Sequence, residues 1–167
     1  MRRWAMAALV SAAMALAASP GSSAQPQVHE FVRGSWKEIR QAHAGRPIVV
    51  HFWGVTCGPC RVEMPLLGKL LKERRDLDLV TVNADLVPDE PAAVSAMLAE
   101  SGLASAENWM FNDAFVERLR FEIDPQWQGD IPLTLLIGRD GAIKTIEGSV
   151  DPDAVRAWLD AQAPRAK

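Results

Sequence analysis

Apolar residues along this chain are grouped into short runs that have the character of buried β-strands. The runs are rich in β-branched and aromatic residues and bounded by turn residues, which is typical of strands covered on one or both faces. Residues 133–137 and 142–147 flank an Arg-Asp-Gly turn, and this arrangement predicts a β-hairpin. The predicted strands before the second arm of that hairpin are residues 28–32, 47–53, 77–83, 109–111 and 133–137.

Helical patterns separate these strands. Ser35 and Glu38 have the spacing of a capping box, Asn112 is expected to cap a later helix, and Asp151 is expected to cap the last one. Pro65 predicts a kink in the longest helix. Alternating strands and helices that end in a hairpin and a helix predict an α/β sandwich, in which helices cover a central mixed sheet. The predicted helices are residues 35–44, 57–75, 92–100, 113–121 and 152–162.

The N-terminal segment has the pattern of a secretory signal peptide. Two arginines precede an uncharged run of 15 residues, and small residues stand at Ser22 and Ala24. A bilayer-spanning helix needs about 20 apolar residues, which favours cleavage after Ala24 over the alternative of an uncleaved membrane anchor. We therefore expect residues 1–24 to be a signal peptide and residues 25–167 to be one domain that is exported, for example to a periplasm.

The composition excludes several classes of protein. The chain has 167 residues, of which 49% are hydrophobic and 23% charged, with a formal net charge of −3. This balance is typical of a globular domain and argues against a disordered or polytopic membrane protein. Lys and Arg form no basic surface pattern, so no nucleic-acid partner is expected. Two cysteines are too few for a disulfide-stapled scaffold, and a monomer is expected.

The candidate chemistry lies in the sequence Cys57-Gly58-Pro59-Cys60 at the start of a predicted helix. Residues three apart on a helix face the same way, at a separation that can close into a disulfide. Free N–H groups at a helix start stabilise an anion, and the thiolate is the reactive form in disulfide exchange. Pro59 suits a first turn because its missing N–H is not needed there. Cys57 is then the attacking thiol and Cys60 the resolving one.

Other uses of two cysteines fit less well. A structural disulfide that closes so short a loop supplies only about 2 kcal/mol. A c-type haem site needs His where Arg61 stands, and a zinc site needs four ligands. A Cu(I)-handling dithiol remains an alternative, since thiolates suit Cu(I). We expect no metal and no cofactor besides the redox-active Cys57–Cys60 disulfide.

The run Phe-Trp-Gly-Val-Thr-Cys-Gly-Pro-Cys-Arg-Val-Glu-Met-Pro at residues 52–65 resembles the active-site segment of thioredoxin-fold proteins. It is more similar to the TlpA/ResA-like exported thiol–disulfide oxidoreductases, with their C-x-x-C-[RK]-x-E-x-P motif. The resemblance covers residues 31–162 and implies a thioredoxin-like three-layer sandwich. It implies that Pro132 is cis beside the cysteine pair and that Ile131 offers backbone groups to a substrate. Residues 84–108 then form a helical insertion after the second core strand.

Two positions depart from the family pattern. Thr56 stands where these proteins usually have Trp, and His51 stands where they have Asp or Asn. His51 is either a proton shuttle for Cys60 or a neutral core residue bonded to the backbone. Glu63 either tunes Cys60 and the Pro132 loop or is an acid stabilised by the helix dipole. Trp53 resembles the aromatic residue beneath the family's active site, and it is equally compatible with core packing.

The resemblance implies a thiol–disulfide reductase that acts on protein disulfides, with roles in cytochrome c or copper-site maturation and a membrane thiol as electron donor. The Gly-Pro dipeptide matches reducing thioredoxins. An oxidase or isomerase with the same residues is the alternative, because direction depends on the reduction potential.

Overall fold

The computed structural model describes residues 25–85, 87 and 89–163. The predicted signal peptide lies outside these described residues. No helix in the described ranges is long and apolar enough to cross a membrane. The elements follow one another as β1 Val28–Phe31, α1 Ser35–Ala42, β2 Ile48–Trp53, α2 Gly58–Glu73, β3 Asp78–Asn83, α3 Pro91–Glu100, β4 Glu107–Phe111, α4 Val116–Ile123, β5 Leu133–Ile137, β6 Ile143–Glu147 and α5 Pro152–Ala161.

One six-stranded mixed sheet forms the centre of the molecule, with the strand order β1-β4-β3-β2-β5-β6. The first four strands in this order pair in parallel, whereas β5 and β6 run antiparallel to their neighbours. The predicted hairpin is β5–β6. Every residue of β2 is buried, which agrees with the continuous apolar pattern of residues 47–53. The element that leads into the cysteine pair is thus the central strand of the sheet.

Helices cover both faces of the sheet, and each face has its own apolar core. Alternate residues of a strand point to opposite faces, so Val50 and Phe52 of β2 lie in one core and Val49 and Trp53 in the other. The first core contains residues of α1 and α4, and the second contains residues of α2, α3 and α5. This is the predicted three-layer α/β sandwich.

The segment predicted as a helical insertion contains both a helix and the start of a strand. Helix α3 lies within residues 84–108, and β4 then enters the sheet between β1 and β3. Helix α2 approaches the end of α3 closely, since a Cβ at Gly68 would overlap the backbone carbonyl of Ser101. A glycine is therefore needed where the inserted helix meets the helix that carries the cysteines.

Two predicted helix caps are wrong. The Ser35 hydroxyl does not cap α1, because it accepts a hydrogen bond of 3.0 Å from the Val32 N–H and so closes the preceding turn. Asn112 does not cap α4, which begins later, after a turn in which the Asp113 side chain accepts from the Phe115 N–H at 2.8 Å. In both places, side-chain hydrogen bonds within a turn compete with capping.

Pro65 lies inside a continuous helix, and the predicted cap of α5 is confirmed. Helix α2 continues through Pro65 to Glu73. Pro65 has no N–H to donate to the carbonyl of Arg61, four residues earlier. Arg61 is an exposed residue in the first turn of α2, so water can take the place of the missing N–H. The Asp151 side chain caps α5 by accepting from the Asp153 N–H at 2.9 Å.

Candidate active site

Cys57 and Cys60 form a disulfide at the N-terminus of α2, with their Cα atoms 5.3 Å apart. Cys57 is the N-cap residue, and its sulfur accepts a hydrogen bond of 3.2 Å from the Cys60 N–H. Cys57 is half-buried, whereas Cys60 is fully buried in the core beneath α2. A reagent that arrives from solvent therefore reaches Cys57 and not Cys60.

The first turn of α2 favours a thiolate at Cys57. When the Cys57 sulfur is negatively charged, it is stabilised by the hydrogen bond from the Cys60 N–H and by the positive end of the helix dipole. Gly58 and Pro59 follow Cys57 and are exposed. Pro59 lies where no intrahelical N–H bond is needed. A Cβ at Gly58 would meet no atom within 4 Å, so space alone does not require glycine there.

The Ile131–Pro132 peptide bond is cis, as the family resemblance implies. Phe52 pairs with Leu133 across β2 and β5, so Pro132 lies beside the end of β2, where the chain leaves for the cysteine pair. The Pro132 carbonyl accepts a hydrogen bond of 2.9 Å from Gly148. Ile131 is partly buried and packs against the core that contains Cys60.

Trp127 supports the loop before Pro132. Its ring centroid lies 4.9 Å from that of Phe52, and its indole N–H donates to the Asp130 carbonyl at 2.9 Å. Trp53 is fully buried in the core beneath α2, and its indole nitrogen has no hydrogen-bond partner among the described residues. Both tryptophans are therefore packing residues next to the site.

His51 is fully buried on β2, on the face that α2 covers. Its Nδ1 atom lies 2.9 Å from the Thr134 hydroxyl, and its Nε2 atom lies 3.4 Å from Oε1 of Glu63. Burial lowers the pKa of His51 from 6.5 to about 3, so the imidazole is neutral. His51 is therefore a neutral core residue, as one of the two interpretations has it, but its ring nitrogens face side chains and not the backbone.

Glu63 is also buried, with 3% of its surface exposed. Its Oε2 atom accepts a hydrogen bond of 2.7 Å from the Val150 N–H. Burial raises the pKa of Glu63 from 4.5 to about 7, and the Val150 hydrogen bond opposes this rise. Burial therefore has the largest effect on the pKa of Glu63. Cys60 and Glu63 are three apart on α2 and share the face turned toward His51.

A single proton accounts for the contact between His51 and Glu63. Nε2 of His51 and Oε1 of Glu63 are both buried without a hydrogen-bond partner when the carboxyl group carries no proton. An ion pair would require a charged imidazole, which burial disfavours. A protonated Glu63 that donates to Nε2 satisfies both atoms, while Nδ1–H donates to Thr134. When Glu63 is protonated, the two side chains form a neutral pair that can gain or lose one proton.

Sequence reasoning missed two acids beside the site, Asp85 and Asp89. Asp89 accepts a hydrogen bond of 3.0 Å from the Val55 N–H, in the loop before Cys57. Burial raises the pKa of Asp85 to about 6. Their position after β3, the neighbour of β2, is the signal that was available, because parallel strands end at the same edge of a sheet. Among the described residues, no cluster of three or more His, Cys, Asp or Glu side chains is placed to hold a metal ion.

Comparison with known proteins agrees with this geometry. A thioredoxin family model matches residues 27–97. The thiol-disulfide oxidoreductase ResA of Halalkalibacterium halodurans is 26% identical over 152 residues, which is 89% of this chain and 80% of that protein. The thioredoxin-like protein YneN of Bacillus subtilis is 44% identical over 48 residues, 28% of each chain.

Solved structures show the same fold. A secreted disulfide oxidoreductase of Mycobacterium tuberculosis, described as homologous to DsbE of E. coli, superposes with a TM-score of 0.58 at 17% identity, covering 72% of this chain and 85% of that one. StoA of Bacillus subtilis superposes with a TM-score of 0.53 at 22% identity, covering 69% and 83%. With its thioredoxin domain, its Cys57–Cys60 pair and these relatives, the chain is a thiol–disulfide oxidoreductase of the thioredoxin fold.

Proposed function

We propose that this oxidoreductase is an exported reductase of protein disulfides, in which Cys57 attacks and Cys60 resolves. The observation that carries the proposal is the asymmetry of the pair, with Cys57 half-buried at the helix start and Cys60 fully buried behind it. Only the accessible sulfur can meet a disulfide of another protein. The Gly58–Pro59 dipeptide, which matches reducing thioredoxins, supports the reducing direction.

The reaction moves two electrons from the dithiol to the substrate. The Cys57 thiolate attacks one sulfur of the substrate disulfide, a Cys57–substrate bond forms, and the other substrate sulfur leaves as a thiolate that takes up a proton. Cys60 then loses its proton and attacks the Cys57 sulfur. The Cys57–Cys60 disulfide forms, the mixed disulfide breaks, and the second substrate thiol is released.

The pair of His51 and Glu63 supports the second step by managing the Cys60 proton. Cys60 is buried, so its thiol cannot pass a proton directly to bulk water. Glu63 has a pKa of about 7, which suits a group that accepts and returns a proton near neutral pH. His51 links it to Thr134 on β5, the strand that follows Pro132.

Substrate binding falls to the loop that carries the cis peptide bond. Ile131 lies two residues before the start of β5, beside the site, and can offer its backbone N–H and C=O to an extended substrate segment. The electrons return from a thiol donor at the membrane, and the working domain is residues 25–167 after removal of residues 1–24. Both expectations come from the family resemblance and from the N-terminal pattern.

The test is to trap the thiols of the native protein by acid quenching of its own cells, with a gel shift that reports both cysteines. A mostly reduced pool in an oxidising compartment supports the reductase, because a donor must then be supplying electrons. A fully oxidised pool contradicts it and indicates an oxidase or isomerase. A Cys60→Ala variant, which cannot resolve, should accumulate mixed disulfides with substrates through Cys57. A Cys57→Ala variant is the matched control.

A further inference from the structure

The short loop that precedes Cys57 is held by two carboxyl groups from the segment after β3. Oδ2 of Asp89 accepts hydrogen bonds from the Val55 N–H at 3.0 Å and from the Asn83 side chain at 2.7 Å. Asp85 lies so close to Gly54 that a Cβ there would overlap its carboxyl group. The backbone of residues 54–56 therefore rests directly on this acid pair.

The Asp85 carboxyl group holds its proton to a higher pH than an ordinary aspartic acid does. A negative charge on the neighbouring Asp89 side chain disfavours the ionised form of Asp85. The pKa of Asp85 is raised to about 6, mainly by burial and to a smaller extent by the neighbouring Asp89. The N–H groups of Thr56 and Val55 oppose the rise. Oδ2 of Asp85 is buried and has no partner when the proton is absent.

We propose that Asp85 and Asp89 are positioning residues that hold the loop 54–56, and that the proton on Asp85 controls the reactivity of Cys57. Loss of the proton leaves two negative charges against the loop. The added charge disfavours the Cys57 thiolate and opposes the helix dipole that stabilises it. The inference rests on the proposed role of Cys57 as the attacking thiol.

The contacts that the described residues make with this pair are to neutral groups. The loop between β2 and α2 contributes the backbone of Gly54 and Val55, and β3 contributes Asn83. Arg61 of α2 and Glu100 of α3 line a groove together with Val55. Glu90, next to Asp89 in sequence, is exposed.

The first measurement is an NMR titration of the oxidised wild-type protein from about pH 4 to about pH 9. The Asp85 carboxyl carbon and the Val55 amide should titrate together with a midpoint near 6. A Val55 amide that shows no inflection in this range overturns the proposal. This measurement needs no variant and so does not depend on whether a substituted protein folds.

The second measurement is the rate of Cys57 alkylation by iodoacetamide in the reduced protein as a function of pH. Wild type should show the thiol ionisation and a second inflection near 6. Asp85→Asn keeps the shape and a hydrogen-bond donor but no charge, so it should lose that inflection and react about threefold faster above it. Glu90→Gln removes one charge nearby and should match wild type. Persistence of the inflection in Asp85→Asn, or equal changes in both variants, overturns the proposal.

Failure of the proposed function gives a different result. Mass spectrometry of the alkylated protein identifies which cysteine has reacted. Alkylation at Cys60 in place of Cys57 contradicts the proposed function. A Val55 titration that persists alongside that result shows that the acid pair exists without the assigned attacking thiol.

Discussion

Replacement of Glu63 by Gln tests the buried pair beneath the cysteines through the stability of the fold. Gln keeps an oxygen for the Val150 N–H and offers an N–H to Nε2 of His51, so it copies the protonated acid. The variant cannot ionise. Wild type and Glu63→Gln should therefore have similar free energies of unfolding at low pH, where Glu63 carries its proton in the folded protein.

The size of the effect follows from the pKa of Glu63 in the two states. The acid has an ordinary value of 4.5 when unfolded and about 7 when folded, so the folded protein binds the proton more tightly. Stability is retained below 4.5, falls as pH rises between the two values, and is lowest above about 7. The difference corresponds to about 3 kcal/mol. Glu63→Gln should be more stable than wild type by up to this amount at about pH 9.

The assay is urea unfolding of the oxidised proteins at several pH values between about 5 and about 9. The quantity compared is the difference in the free energy of unfolding between wild type and Glu63→Gln. That difference cancels the contributions of His51 and Asp85, which are present in both proteins. Glu100→Gln, an exposed acid on α3, is the matched control and should show no pH-dependent difference. A Glu63→Gln difference that is constant across pH would refute the assignment of a buried, proton-binding Glu63.

Two further predictions concern stability and rate. Gly68→Ala should lower the free energy of unfolding by about 2 kcal/mol, because the new Cβ overlaps the Ser101 carbonyl, whereas Gly58→Ala should be nearly neutral in the same thermal melt. Equal effects would contradict the close approach of the two helices. His51→Asn should slow the resolution of a mixed disulfide on Cys57 by about tenfold near neutral pH, as measured by stopped-flow exchange with a model disulfide. An unchanged rate between about pH 6 and about pH 8 would contradict a role of His51 in proton transfer.

The fold could be predicted because its signals are local. Continuous apolar runs mark the central strands, and the Cys-Gly-Pro-Cys run marks the helix start that carries the chemistry. The helix caps were predicted less well. The side chains of Ser35 and Asp113 bond within turns, which the spacing of residues does not reveal.

The interior of the site could be predicted only in part, because its contacts join distant residues. Glu63 and Val150 are 87 positions apart, and His51 and Thr134 are 83 apart. A sequence pattern shows an acid three residues after Cys60, but it does not show that the acid is buried or which N–H it accepts. The Asp85–Asp89 pair was missed for the same reason, because the two acids follow β3 whereas the loop that they contact follows β2.

The short connection between β6 and α5 has a consequence for how the length of the chain can vary. The Gly148 N–H donates to the Pro132 carbonyl at 2.9 Å, and two residues later the Val150 N–H donates to Glu63 at 2.7 Å. Adding or removing one residue between these anchors would misalign one of the two bonds. Insertions should be accepted elsewhere on the surface, whereas this three-residue segment sets a fixed spacing between the cis-proline loop and the helix that carries the cysteines.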